Sequence, residues 1–174
     1  IVTFSNAPRI FGKDTIRISN GIDFDAIPLK EHQNDTSKEL HLIGVAEIHY
    51  WHGYDRLIKG LAEYYHTNTD YKVYFNLVGV FAGEMERNAC MTVVKENHLE
   101  PYVVYHGAKH GEELDELFER CDFAIGSLGR HRSGITYIKT LKNREYAARG
   151  FSFIYSETDE DFDPMPYIMK VPAD

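Results

Sequence analysis

With 174 residues, 43% of them hydrophobic and 26% charged, the chain has enough apolar material for one domain with a real core and is too short for two large ones. Its formal net charge of -8 argues against a duplex nucleic-acid partner, since affinity for a phosphate backbone comes from clustered Lys and Arg, but leaves a small phosphate ester open. Cys90 and Cys121 sit in apolar stretches with no CxxC pairing, no apolar run is long enough to cross a bilayer, and the chain begins without Met, so it reads as an excised piece of a soluble, cytoplasmic protein.

In chain order, residues 1–23 read as two short strands around Pro-Arg and Gly-Lys turns, ending in the turn dipeptide Asn20-Gly21. Residues 25–38 are polar and read as loop. Five runs, at 41–48, 71–80, 101–107, 121–127 and 151–156, are nearly continuous in apolar content, as expected of strands covered on both faces. Between them Tyr54, Leu57, Ile58, Leu61, Ala62 and Tyr65 mark one amphipathic helix. Met85, Ala89 and Val93 mark a second over 84–97, and Leu114, Leu117, Phe118 and Cys121 a third after Gly111. A stripe of Ile138, Leu141, Glu145 and Ala148 predicts a fourth, with Glu145 turned toward the sheet. The acidic run 157–163 reads as a solvated loop, followed by a possible sixth strand at 167–171. Alternating strands and helices joined by right-handed crossovers give an α/β fold: a doubly wound, Rossmann-like parallel sheet of about six strands with helices on both faces.

Several residues are candidates for chemistry. Glu145 has two readings on pattern alone: an intrahelical pair with Arg149, worth about 0.2–0.5 kcal/mol, or a carboxylate accepting from the vicinal hydroxyls of a ribose. The stretch SLGRHRSG, from Ser127 through Gly129 to Gly134, follows the fourth strand and precedes that helix. It reads either as an ordinary βα loop or as a loop aiming backbone N–H groups at phosphate, helped by Arg130, His131 or Arg132. His49 and His52 near Glu47 do not make a zinc site, which needs three or four convergent ligands. His52 instead reads as an anion donor at a helix start or as an exposed histidine. Tyr50, Trp51 and Tyr54 read as sugar- or base-stacking rings or as core caps, and His106 with Gly107 as a base contact or a structural pair.

Read in order, these fragments resemble the C-terminal domain of family 4 type, retaining glycosyltransferases of GT-B fold over almost the whole chain. Residues 18–23 (ISNGID) are similar to the element leading into the donor domain, and residues 45–53 to its strand and loop ending in Lys-Gly. NLVG, ending at Gly79, and residues 104–107, ending at Gly107, are similar to its two strands with a terminal Gly. Residues 121–127 resemble its "aDv.v.pS" segment, and KNREYAARG, from Lys142 to Gly150, its "K..EymA.G" helix.

The resemblance implies residues 1–22 as the tail of an acceptor domain plus linker, and 23–174 as a donor domain incomplete at its C-terminus. It implies transfer of a sugar, with retention, from a UDP- or GDP-linked donor to a glycan or other acceptor held by an absent N-terminal domain. It further implies no metal or other cofactor, no transmembrane segment in this chain, and polysaccharide assembly in the cytoplasm, peripherally at the inner face of the cell membrane. Lys142 and Arg130 would act on the diphosphate as catalytic groups. Glu145, His52, Gly53, Gly79, Gly107, Ser127, Gly129 and Gly134 would bind the donor. The chain by itself is expected to bind nucleotide weakly and turn over nothing.

The family pattern has Arg and Lys where Glu47 and His52 stand, and a carboxylate where Tyr137 stands. Those departures support an alternative, a catalytically degenerate nucleotide- or partner-binding module. An unrelated receiver-like or flavodoxin-like domain is the third reading, although no strand ends in the acidic residues a receiver needs.

Overall fold

The computed structural model describes residues 1–5, 7–67 and 70–173. Its main sheet contains β1 (Glu39–Ile48), β2 (Lys72–Phe81), β3 (Val103–Gly107), β4 (Phe123–Ile125), β5 (Ser152–Tyr155) and β6 (Ile168–Lys170). The first five are connected by α1 (Tyr54–Thr67), α2 (Glu84–Glu96), α3 (Glu112–Arg120) and α4 (Leu141–Ala148). Every neighbouring pair is parallel, and the spatial order is β3-β2-β1-β4-β5-β6. In this doubly wound order the direction of winding reverses between β1 and β4, and the crevice at a sheet's carboxyl edge opens at that reversal.

Successive strand residues serve opposite cores, which explains the unbroken apolar runs. Leu42, Leu77 and Ile125 join Ile58 and Leu61 of α1 and Val94 of α2 on one face. Their neighbours Ile43, Val78 and Ala124 join Phe118 of α3, Tyr146 of α4 and Phe153 of β5 on the other.

The β1–β2 ladder runs in register from Glu39–Lys72 to Ile48–Phe81, whereas two residue pairs, Leu42–Phe123 and Ile43–Ala124, join β1 to β4. Past Ile43 those two strands separate, and tyrosine hydroxyls occupy the gap. Tyr146 accepts from the Val45 N–H at 3.1 Å and donates to the Ile125 carbonyl at 3.1 Å. Tyr54, arriving from the opposite face, reaches the same carbonyl at 3.4 Å. Main-chain groups that would be buried without a ladder partner are thereby satisfied. Farther along β1, Gly79 of β2 has φ +122°, and a Cβ there would lie 1.7 Å from the Ala46 carbonyl oxygen, so the close approach of the strands requires glycine.

The N-terminal residues form an antiparallel pair, Arg9–Ile10 with Lys13–Asp14, and a short parallel pair, Val2–Thr3 with Ile16–Arg17. The following loop is tied to the end of α3, where Lys30 donates to the Glu119 carbonyl at 2.5 Å and Asn34 to Asp122 at 2.8 Å.

Two features depart from the periodicity. Helix α4 begins at Leu141, capped by the Thr140 hydroxyl, so Ile138 lies outside it; Leu141 is 53% exposed, and the buried side chains are Asn143, Arg144 and Tyr146. The acidic run is a loop, but it is solvated on one side only: Thr158, Glu160, Asp161 and Asp163 are exposed, whereas Glu157, Asp159 and Phe162 are buried. One cause explains both: the inner face of α4 is polar because it pairs with that segment. Arg144 bonds Asp159 at 3.2 Å and also Asp161, and Asn143 donates to Glu157 at 3.3 Å. Asp161 also holds Lys139 at 2.7 Å, and Asp163 holds Lys170 at 3.0 Å. Strand β4 is likewise shorter than the apolar run, leaving Ser127 beyond its end.

Tyr146→Phe is expected to lower the unfolding free energy by about 1–3 kcal/mol in urea denaturation, because the Val45 N–H is left without an acceptor inside the protein.

Candidate functional site

At the carboxyl ends of β1 and β4 the residues after Ile48 and after Ile125 meet. Gly53, at φ +67°, closes the turn into α1, and a Cβ there would lie 2.6 Å from the Gly129 nitrogen. This contact between two main chains admits no side chain. The His52 carbonyl accepts from the Leu128 N–H at 2.8 Å, and Arg56 donates to the Leu128 carbonyl. Ser127 is buried, and its carbonyl accepts from the Ser156 N–H at 2.9 Å.

The predicted phosphate loop does not lead into α4. Arg130–Ser133 form a short 3-10 turn between Gly129 and Gly134, and α4 starts beyond Gly134 with its own cap. Arg132 is not free to bind an anion, because it grips Asp55 of α1 through two bonds of 2.7 and 3.2 Å and also donates to the Tyr50 carbonyl. Arg130 differs: its Nε is buried with no hydrogen-bond partner, and its guanidinium lies 5.5 Å from the Trp51 ring centre.

Lys142, in the first turn of α4, places its Nζ 5.7 Å from the centre of the Tyr54 ring, and that nitrogen is buried with no hydrogen-bond partner. Burial pushes its pKa down to about 7, opposed by the attraction of Glu157 and assisted by the repulsion of Arg130. Glu157 is itself buried; one oxygen takes the Asn143 amide, the other has no partner, and burial raises its pKa. Asn143 Oδ1 and His131 Nδ1 are also buried and unpaired. Native interiors rarely leave so many polar atoms unsatisfied in one place.

His52 is buried at the crevice, where its Nδ1 accepts from the His49 N–H at 3.0 Å. Burial, then Lys142, His49 and Arg130, push its pKa down to about 2, so the ring is neutral and Nε2 carries the hydrogen. It offers a donor without charge. His49 stacks on Trp51 at 4.1 Å, and Glu47 lies 3.5 Å from His49. Among the described residues no group of three His, Cys, Asp or Glu side chains could hold a metal ion. Beside the crevice a cavity of about 220 Å³ is lined by Tyr50, Tyr54, Met85 and Cys90.

Other predicted site residues lie elsewhere. Glu145 pairs with Arg149 at 3.1 Å, and Arg149 also pairs with Asp115 of α3 at 2.7 Å, which is the ion-pair reading of this carboxylate. Gly79 is explained by strand packing. Gly107 ends β3 at φ +68°, with open space where a Cβ would stand, as has Gly134. His106 bonds Asn76 at 2.8 Å, a structural pair. Tyr137 lies by a cavity of about 330 Å³ with Phe4, Arg17 and Lys139. Glu157 and Asn143 escaped the sequence reading. The available signal was position, since Glu157 follows the carboxyl end of a buried strand, but the acidic run around it suggested solvent.

No family model and no curated protein sequence matches the chain. Solved structures do. The sucrose-phosphate synthase tll1590 from Thermosynechococcus elongatus superposes with a TM-score of 0.68 at 17% identity, over 92% of this chain and 40% of its own. The C-terminal domain of LpcC, a glycosyl transferase group 1 family protein from Francisella tularensis, gives 0.62 at 12% identity, over 87% of this chain and 80% of its own. Anabaena Alr3699/HepE, in complex with UDP and glucose, gives 0.62 at 16% identity, over 92% of this chain and 44% of its own. The chain has the fold of the Rossmann-like half of a GT-B glycosyltransferase. It spans less than half the length of the first and third of these proteins, and most of the single domain from the second.

Replacing the unpartnered ammonium tests its cost. Lys142→Met is expected to raise unfolding free energy by about 1–3 kcal/mol at about pH 6, where Lys142 is charged both folded and unfolded. The gain should shrink as pH rises from about 7 toward 10.5, where the native amine is already neutral while the unfolded one still holds its proton. Denaturant melts at both ends of that range provide the check.

Proposed function

We propose that this chain is the nucleotide-sugar-binding half of a glycosyltransferase, and that the donor's diphosphate is held at the β1–β4 reversal by Lys142 and Arg130. One observation carries the reading: two cationic side chains, Lys142 with a buried Nζ and half-buried Arg130 with a buried Nε, neither atom having a hydrogen-bond partner, stand at the crevice where a doubly wound fold binds its ligand. A diphosphate supplies the charge and the acceptors they lack. Neutral His52 contributes its Nε2–H, and Gly53, Ser127 and Gly129 let the main chain come close to the ligand. Lys142 and Arg130 would stabilise the leaving diphosphate as charge develops on it, with no metal required. Glu145 is the candidate ribose carboxylate, because Arg149 retains Asp115 when Glu145 turns to a ligand.

On this reading the donor is UDP- or GDP-linked, the enzyme is of the retaining family 4 type, and a second domain supplies the acceptor, a glycan under assembly at the cytoplasmic face of a membrane. No helix among the described residues is long and apolar enough to cross one. A second reading, a module that binds donor without transferring sugar, is favoured by the exposed Glu47 and neutral His52 at the positions where the resembled family has cations. Transfer assayed with the full-length protein under saturating donor separates the two.

Calorimetric titration with UDP, GDP and ADP tests donor binding. Saturable binding of one of them is expected, weakened at least roughly tenfold by Lys142→Met and by Arg130→Ala, and less by Glu145→Ala. A folded chain that binds none of the three contradicts the proposal.

A further inference from the structure

Lys142 stands in an unusual position for a binding group. Its nitrogen is buried and has no acceptor, so in the empty site the ammonium form has lost water and gained no hydrogen bond. The nearest compensation is Glu157, which is equally incomplete, with one oxygen on Asn143 and the other unpartnered. The two are not within ion-pair distance, so Glu157 acts on Lys142 through the interior field and without a shared hydrogen bond. Arg130, with its own unpartnered Nε, opposes the charge by repulsion.

The groups facing this pair come from every packed element. His52 stands in the turn before α1 and Tyr54 at its start, Arg130 in the 3-10 turn after Gly129, and Tyr146 on α4. Tyr155 of β5 and Lys170 of β6 stand behind Glu157, and Lys170 donates to its carbonyl. His52 is held neutral, and burial raises the pKa of each of the three tyrosines, so among the neighbouring groups Glu157 and then Arg130 act on the charge of Lys142, after burial itself.

We propose that binding of the donor diphosphate is coupled to uptake of one proton by Lys142, and that Glu157 is the positioning residue that sets how readily that proton is held. The inference rests on the donor-half reading. The step is simple in balance: solvent supplies one proton, the amine becomes an ammonium, and the diphosphate oxygens become its acceptors. A pKa of about 7 in the empty site puts the change in the physiological range, and an adjacent anion moves it upward. The site therefore prefers its ligand at lower pH, and affinity falls as pH rises above the empty-site midpoint.

The test is calorimetry with UDP-glucose and GDP-mannose, whose diphosphate diesters do not titrate near neutral pH, from about pH 6 to about pH 8.5. Titrations in two buffers of different ionisation enthalpy count the protons taken up. The expected result is uptake approaching one proton above the midpoint, with affinity level below it and falling up to about tenfold per pH unit above. Glu157→Gln is expected to move the midpoint down by on the order of one pH unit while leaving low-pH affinity unchanged, which a merely structural role for Glu157 would not do. Lys142→Met is expected to bind weakly and without pH dependence. Binding with no proton uptake, or a midpoint unmoved by Glu157→Gln, overturns the coupling and leaves the donor-half reading standing. A folded chain that binds neither donor at any pH overturns both. Should Glu157→Gln fail to fold, the proton count on the unmodified chain still decides the coupling.

Discussion

The structure turns on the gap between β1 and β4. Two parallel strands whose following helices pack on opposite faces cannot stay paired to their ends, because the chain leaves each strand in a different direction. Here the ladder stops after Ile43–Ala124, and the backbone groups beyond it need other partners. Tyr146 and Tyr54, one from each face, bring hydroxyls to the Ile125 carbonyl and to the Val45 amide. The same two rings belong to the two cores, so helix packing, sheet closure and the floor of the crevice depend on one set of contacts.

That floor places the charges. The Lys142 nitrogen stands over the Tyr54 ring, and Arg130 projects from a turn fixed by the contact of Gly53 with Gly129. Arg132, two residues on, is committed to Asp55 and the Tyr50 carbonyl and fastens the turn to α1, so one arginine of the loop is structural and the other keeps a buried Nε without a hydrogen-bond partner. The burial that costs stability at Lys142 also excludes the water that would weaken the anion binding proposed for it. Natural interiors retain unpaired charge where function needs it, and the remaining ion pairs of the region, Arg144 with Asp159 and Arg149 with Asp115, are satisfied.

The sheet was legible in the sequence because strands covered on both faces need apolar residues at consecutive positions, as Leu42-Ile43 and Leu77-Val78 show. Helices α1, α2 and α3 were legible by their spacing. Helix α4 was legible in existence and not in orientation, since its buried face carries Asn143 and Arg144, whose partners lie fourteen or more residues later in the chain. The same long-range pairing hid the acidic segment, because no local pattern distinguishes a solvated run of carboxylates from one whose cations arrive from another helix. Of the site, Lys142 and Arg130 could be named from the sequence, whereas the capture of Arg132 by Asp55 and the convergence of Glu157 on Lys142 depend on tertiary contacts.

The most direct measurement is a crystal structure of the chain with a bound nucleotide sugar. The account predicts diphosphate oxygens within hydrogen-bond distance of Lys142 Nζ and the Arg130 guanidinium, between the turn at Gly53 and the segment from Ser127 to Arg130. A nucleotide seated elsewhere, with both nitrogens still unpartnered, would contradict it.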